Sequence, residues 1–291
     1  MPAQQLQQAA DVMLAAAARG RSVAAALKRI ATHVYRQITR DAHHPALLAV
    51  WGKSRNVDDN VGATIVPPAI VEAIGSLAGV PMRGVNVHAG LLHTYGYLFS
   101  SLQTPYGLKR DRWISKTLEQ GFGLNTELLS DHPGSGTLLA NVTWFFGQIA
   151  FRDRPAALRR IEAAAPIVAP ELVRHDFRSY DVLRIVEQAE PAASLKRPVT
   201  FVTDLIPYPN APAAAGTENT LLVYSVQIGA KSPRKLITGF PVRTEMVRTL
   251  LDAVPARSRT QVGPRYNAYV PGLPAGSTVP GRSALQPVEK S

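Results

Sequence analysis

The sequence predicts an α+β protein: a helical N-terminal region followed by a mainly antiparallel β-sheet with one or two covering helices. Three observations lead there. Apolar residues recur at helical spacing over the first 80 residues and switch to two-residue alternation near residue 82. Several segments rich in Val, Ile, Leu and Thr follow one another between residues 182 and 242, with turn-forming residues between them. Hydrophobic residues make up 46% of the 291 and charged residues 18%, a balance that fills an ordinary core and excludes a largely disordered chain.

Leu6, Ala10, Met13 and Ala17 mark a first helix that stops at Arg19-Gly20. Ser22 suits the N-cap of a second, with Val23, Leu27, Ile30 and Val34 on one face. His43-His44-Pro45 ends it, because a residue before proline avoids the helical region. Residues 1–40 are rich in Ala, Gln and Arg with Asp11 the single acid, which echoes an organellar presequence. Two amphipathic helices account for the stretch better. Residues 53–60 form a polar loop holding Lys53, Arg55, Asp58 and Asp59, and Pro67-Pro68 opens a short helix over 69–77, closed by Gly79 and Pro81.

Strands are expected at 85–99, 137–151, 182–187, 199–206, 220–228 and 236–242. In 85–99, Val85, Val87, Ala89, Leu91, His93, Tyr95, Tyr97 and Phe99 share one parity, with Gly90 and Gly96 as bulge points. Segment 137–151 is apolar on both parities, as a central strand covered on both faces would be. Thr244 can cap a helix running to about residue 253. The chain is thus read as a helical region over 1–80, an α+β core over 81–254 and a tail over 255–291. That tail holds six Pro, four Gly and a net charge of +4. It reads as extended and mobile, lying on the body or reaching for a partner, and deletion of residues 265–291 is expected to change stability little.

Zero cysteines excludes disulfides, a thiol nucleophile and thiolate metal sites. No apolar run reaches the roughly 18 residues of a membrane span, so a soluble, cytoplasmic protein is expected. The net charge of +11 is unevenly spread: eight basic against four acidic residues over 1–60, twelve of each over 61–195, and twelve against five over 196–291. Basic flanks suit nucleic acid or an acidic partner, or only aid solubility.

The phosphate-loop, dinucleotide, zinc-protease and nucleophile-elbow patterns are all absent. Pro133-Gly134-Ser135-Gly136-Thr137 resembles a phosphate cradle, but ahead of an expected strand it lacks a helix N-terminus and reads as a turn. No pair of the seven histidines has metal-ligand spacing, so neither metal nor cofactor is expected.

Polar and aromatic side chains are densest over residues 86–113. His93, Tyr95 and Tyr97 would share a face of the expected strand. A tight turn at Thr104-Pro105-Tyr106-Gly107 would return Lys109, Arg110 and Arg112 to the same edge. Imidazole supplies a general base near neutral pH, and guanidinium holds carboxylate or phosphate through two hydrogen bonds. The expected catalytic residues are therefore His93 or His88, with Tyr95 assisting. Lys109, Arg110, Arg112, Tyr97 and Tyr106 would bind substrate. The expected function is a metal-independent enzyme of hydrolase or lyase type acting on a small anionic molecule by His-based acid/base chemistry.

Two other features stand apart. Asp204 shares parity with Val202 and Ile206, a carboxylate on an apolar face; Arg152 and Arg154 are candidate partners, and a strand end reaching solvent is the simpler account. The hairpin around Lys231, Arg234 and Lys235 has a basic tip and resembles the terminal hairpins of bacterial ribonuclease toxins over that hairpin alone. The alternative function is accordingly a basic nucleic-acid-binding protein, a ribonuclease-like toxin in its most concrete form. The balanced charge of residues 61–195 favours a focused cluster over a basic stripe, which ranks the enzyme first. The sequence carries no reading of oligomeric state.

Overall fold

A computed structural model describes residues 2–132, 134–189, 197–210, 217–252 and 263–273. The first helix, α1 (Ala3–Ala18), buries Leu6, Ala9, Ala10 and Met13 and ends where Gly20 turns left-handed. Ser22 caps α2 (Val23–Ile30) by accepting from the Ala25 N–H at 3.2 Å, as the sequence predicts. The expected long second helix breaks at Ala31 into α2 and α3 (Thr32–Ala42). Then come α4 (Pro45–Ala49), the short strand β1 (Lys53–Arg55) and α5 (Pro68–Leu77), which opens on the predicted proline pair.

The 85–99 segment is not one strand. Only β2 (Asn86–His88) is extended, pairing antiparallel with β1. From there the chain enters α6 (Ala89–Leu91) and continues as a π-helical turn over Leu92–Gly96. All residues from Ala89 to Ser100 are buried, so apolar side chains point in every direction and alternation carries no information about the period. Gly90 permits the close packing: a Cβ there would lie 2.6 Å from the Trp51 indole.

A minimal hairpin follows, β3 (Gln103–Thr104) and β4 (Gly107–Leu108), around the predicted Pro105-Tyr106 turn. Next are α7 (Asp111–Ile114), α8 (Thr117–Phe122) and α9 (Leu138–Ala150). The last overturns the expected central strand over 137–151. Every residue of α9 is buried, and a helix buried all round shows the same two-parity apolar run as a covered strand. Its length and the Thr137 cap, which accepts from the Ala140 N–H at 3.1 Å, are the helix signals. Residues 134–137 therefore do precede a helix. They make no phosphate cradle, because protein already takes the first N–H groups: Leu138 donates to Gln37 Oε1 at 2.9 Å and Ala140 to Thr137.

After α10 (Pro155–Glu162) and α11 (Pro170–Arg174) come the four expected sheet strands: β5 (Leu183–Ala189), β6 (Val199–Pro207), β7 (Glu218–Ile228) and β8 (Lys235–Arg243). They form an antiparallel meander in the order β5-β6-β7-β8, and α12 (Thr244–Asp252) follows directly. One sheet face, including Ile206, Leu221, Val223 and Leu236, joins the helical core around α9. Gly239 lets α9 approach: a Cβ on it would fall 2.5 Å from the Phe146 ring. The other face packs Phe201, Leu205, Leu222, Tyr224 and Ile237 against Leu250 of α12 and against Ala268 and Val270.

Asp204 lies fully inside, not at a solvent-reaching strand end, and its partner is Arg184, its register neighbour on β5, at 2.6 Å. Burial raises its pKa, with the Arg184 guanidinium working against that shift. Arg184 also reaches Asp153 at 2.9 Å and the Ala150 carbonyl at 3.1 Å, and Arg234 grips the same two groups. Two guanidinium groups thus close the negative C-terminal end of α9. Neither Arg152 nor Arg154 reaches Asp204: Arg152 donates to the carbonyls of Phe177 and Tyr180, and Arg154 to Gln227 with a longer pairing to Asp153 at 3.8 Å.

Residues 263–273 lie on the body through bonds that correct the expectation of a mobile segment whose removal changes stability little; 255–262 and 274–291 fall outside the described residues. The docked part runs antiparallel to β1. Asn267 O accepts from the Arg55 N–H at 2.7 Å, and the Tyr269 N–H donates to Lys53 O at 3.0 Å. Asn267 and Asp59 exchange two further bonds at 3.0 Å, and Arg265 pairs with Glu187. At about 1 kcal/mol net per hydrogen bond, and roughly 2–4 °C per kcal/mol in a chain of this size, truncation before residue 263 should lower the melting temperature by more than 5 °C. A fall below 2 °C, followed by circular dichroism, would show this segment undocked.

Candidate functional site

The candidate site residues separate into four places. His93 and Tyr97 lie one turn apart on the π-helical segment with ring centroids 4.9 Å apart. Tyr95 does not join them, because in a helix alternate residues point to different sides. Its hydroxyl donates to Asp41 at 2.5 Å, inside the core. Thr137 donates to the other Asp41 oxygen at 2.5 Å.

Arg110 turns away from Arg112. It donates to Ser100 O at 2.9 Å and to Ala3 O and Gln7 of α1, so it anchors the first helix. His88 is a local cap: its Nδ1 accepts from the Leu91 N–H at 3.1 Å while Nε2–H donates to Leu48 O at 2.9 Å. Burial pushes its pKa down to about 4.

Lys109 and Arg112 do converge on Tyr97. The Lys109 ammonium lies 5.8 Å from that ring and pairs at 2.6 Å with Asp58. Burial alone would raise the Asp58 pKa; Lys109 and hydrogen bonds from Asn60 outweigh it and hold the carboxyl below its usual range. The half-buried Arg112 guanidinium is sandwiched between Tyr97 and Phe240, 5.1 and 5.2 Å from the two centroids. One N–H reaches Thr238 Oγ1 at 3.1 Å. Among the described residues it forms no ion pair; Glu218 and Asp58 act on it only through space. Tyr106, 56% exposed, stands at the rim, its phenol raised by burial and by Asp58.

His93 lies beneath this face and is 2% exposed. Its Nδ1 is 2.6 Å from Ile237 O on β8, and a carbonyl only accepts, so Nδ1 carries the proton. Burial, aided by the Arg112 charge, drives its pKa well below the usual imidazole range. In the neutral ring Nε2 is bare, and it faces Ser54 Oγ at 3.1 Å. Ser54 has no signature in its local sequence. The fold alone brings it to His93, by pairing β1 with β2.

The basic hairpin tip is largely engaged. Arg234 is buried on Asp153, and the Lys235 ammonium donates to Ala49 O. Among the described residues, no group of three or more His, Asp or Glu side chains gathers to hold a metal, and no helix is long and apolar enough to cross a membrane. The chain matches no known family model, no curated protein and no solved structure.

The Asp41 carboxyl, raised to about 7 chiefly by burial, gives a pH prediction. Its proton is held more tightly folded than unfolded, so its contribution is complete below the ordinary carboxylate range and is lost as pH rises through 7. His88 and His93, both depressed, act oppositely and lose stability as pH falls below 6.5. A comparison with Asp41→Asn isolates the carboxyl. From pH 5 to 8 the wild type should lose roughly 2–3 kcal/mol relative to the variant. A pH-independent difference in chemical denaturation would contradict this.

Proposed function

We propose that the protein is an enzyme that binds a small anionic molecule, a carboxylate or a phosphate, at Arg112 and Lys109 beside the exposed Tyr106, with His93 as the acid/base group; Tyr97, 1% exposed, backs the two cations from inside and does not itself reach a ligand. One observation carries this reading: Arg112 is half-buried and stacked between two aromatic rings, yet forms no ion pair among the described residues. Partial desolvation of a guanidinium without a counter-ion costs free energy, and an anion bound through its planar fork recovers it. Lys109 adds positive potential, although Asp58 offsets much of it. The 2% exposure of His93 means that its chemistry requires the structure around it to open.

Arg112→Ala should weaken binding of inorganic phosphate or succinate about ten- to hundredfold, the worth of one charge-assisted contact of roughly 1.5–3 kcal/mol. Arg112→Lys should fall between, keeping the charge and losing the fork. Arg110→Ala is the control, expected to lower stability through the loss of its bonds to α1 and to leave affinity unchanged. Titration calorimetry decides. Equal affinities in wild type and Arg112→Ala, or binding lost on Arg110→Ala instead, would refute the reading.

A further inference from the structure

Three groups surround one backbone carbonyl. Asn267 O accepts from Ser54 Oγ at 2.9 Å and from the Arg55 N–H at 2.7 Å, while Ser54 Oγ also faces the bare Nε2 of His93 at 3.1 Å. Ser54 has one hydroxyl proton, which Asn267 O takes here; turned to the bare Nε2 instead, it would leave a serine, a base and, in the Arg55 N–H, an oxyanion donor side by side, the groups that acyl transfer requires. Ile237 O holds the imidazole in the required tautomer, as the third group of such a constellation does.

The segment supplying the carbonyl lies antiparallel to β1, Ala268 bridging to Ser54, in the manner of a bound peptide. Its backbone is left-handed at Tyr266 and Asn267, with φ of 55° and 62°, a conformation that costs non-glycine residues free energy. Asp59 holds it there by accepting from the Asn267 N–H and donating its own N–H to the Asn267 amide oxygen.

We propose that Ser54, His93 and the Arg55 N–H form an acyl-transfer centre, kept shut by residues 265–270 lying in it as a pseudosubstrate. The inference rests on the anion-binding reading in one respect: the substrate is an ester or amide whose anionic group Arg112 receives. Arg112 and His93 contact adjacent residues of β8, Thr238 and Ile237, and both touch the Tyr97 ring.

With the segment lifted, Ser54 Oγ bonds to the acyl carbon as its proton passes to His93 Nε2. The bond from that carbon to the leaving oxygen or nitrogen breaks, and the leaving group takes the proton from Nε2. Water then gives a proton to Nε2 while its oxygen bonds to the acyl carbon. The bond to Ser54 breaks and Oγ recovers that proton, so the carboxylic acid is released and the enzyme regenerated. The Arg55 N–H donates to the oxyanion in both halves, and Ile237 O is a positioning group.

The test is covalent labelling of the full chain by a fluorophosphonate, with the modified residue located by peptide mass spectrometry. Asp59→Ala removes one side of the clamp, and Asn267→Gly removes the other while tolerating positive φ. Either variant should be labelled at Ser54 at least tenfold faster than wild type, which should label there slowly through native-state opening. The loosened variants should hydrolyse mono(4-nitrophenyl) glutarate, with Arg112→Ala raising KM more than it lowers kcat. Ser54 left unmodified in wild type and in a folded variant, or label only at other residues, would overturn the proposal. The wild-type arm keeps it falsifiable if a variant does not fold. Absence of label with phosphate binding intact would refute this centre alone; label at Ser54 with no effect of Arg112→Ala would refute the anion site alone.

Discussion

The His93 imidazole lies between two separate parts of the fold. Its Nδ1–H reaches Ile237 O in the sheet and its Nε2 meets Ser54 on β1, while its backbone carbonyl accepts from the Trp113 indole at 2.6 Å. Ser54 in turn touches Asn267, so the ring indirectly fixes the C-terminal segment as well. Each bond contributes only about 1 kcal/mol net, but an unpaired polar atom buried at this depth would cost about 1–3 kcal/mol. The π-helical turn is where the chain departs from regular helix to present the ring, consistent with the frequent placement of such turns at functional sites.

Several of the basic side chains hold the fold together. Arg184 and Arg234 close the end of α9, Arg110 anchors α1, Arg265 pairs with Glu187 and Lys109 with Asp58. Arg112 differs from these: its neighbours are aromatic faces and one hydroxyl. Net charge does not distinguish these roles, whereas the surroundings of a single guanidinium do.

The four sheet strands were legible because their apolar runs are short, separated by turns and rich in β-branched and aromatic residues, as in strand β7 with Val223, Tyr224 and Val226. The helices at 89–98 and 138–150 were not, because burial on every side removes the polar stripe from which a 3.6-residue period is read. Thr137 ahead of thirteen apolar-rich residues was the overlooked signal, since a strand of that length is unusual. The misreading carried over to the site: a two-residue period put Tyr95 beside His93, and a helical one sends it to Asp41. The grouping of Tyr97, Lys109 and Arg112 survived because Tyr97 follows His93 by four residues and a short turn returns the chain. Ser54 and Asn267, 213 residues apart, meet only through tertiary pairing of β1 with the C-terminal segment.

The account depends on His93 being neutral, with its proton on Nδ1. Nitrogen-15 NMR of the imidazole reads that state directly. The expected result is a protonated Nδ1 and a bare Nε2 whose shifts do not change as pH falls through the ordinary imidazole range, because burial and the Arg112 charge oppose protonation. A ring titrating near the ordinary imidazole value, or a proton resident on Nε2, would contradict the hydrogen bond to Ile237 and the role assigned to Ser54.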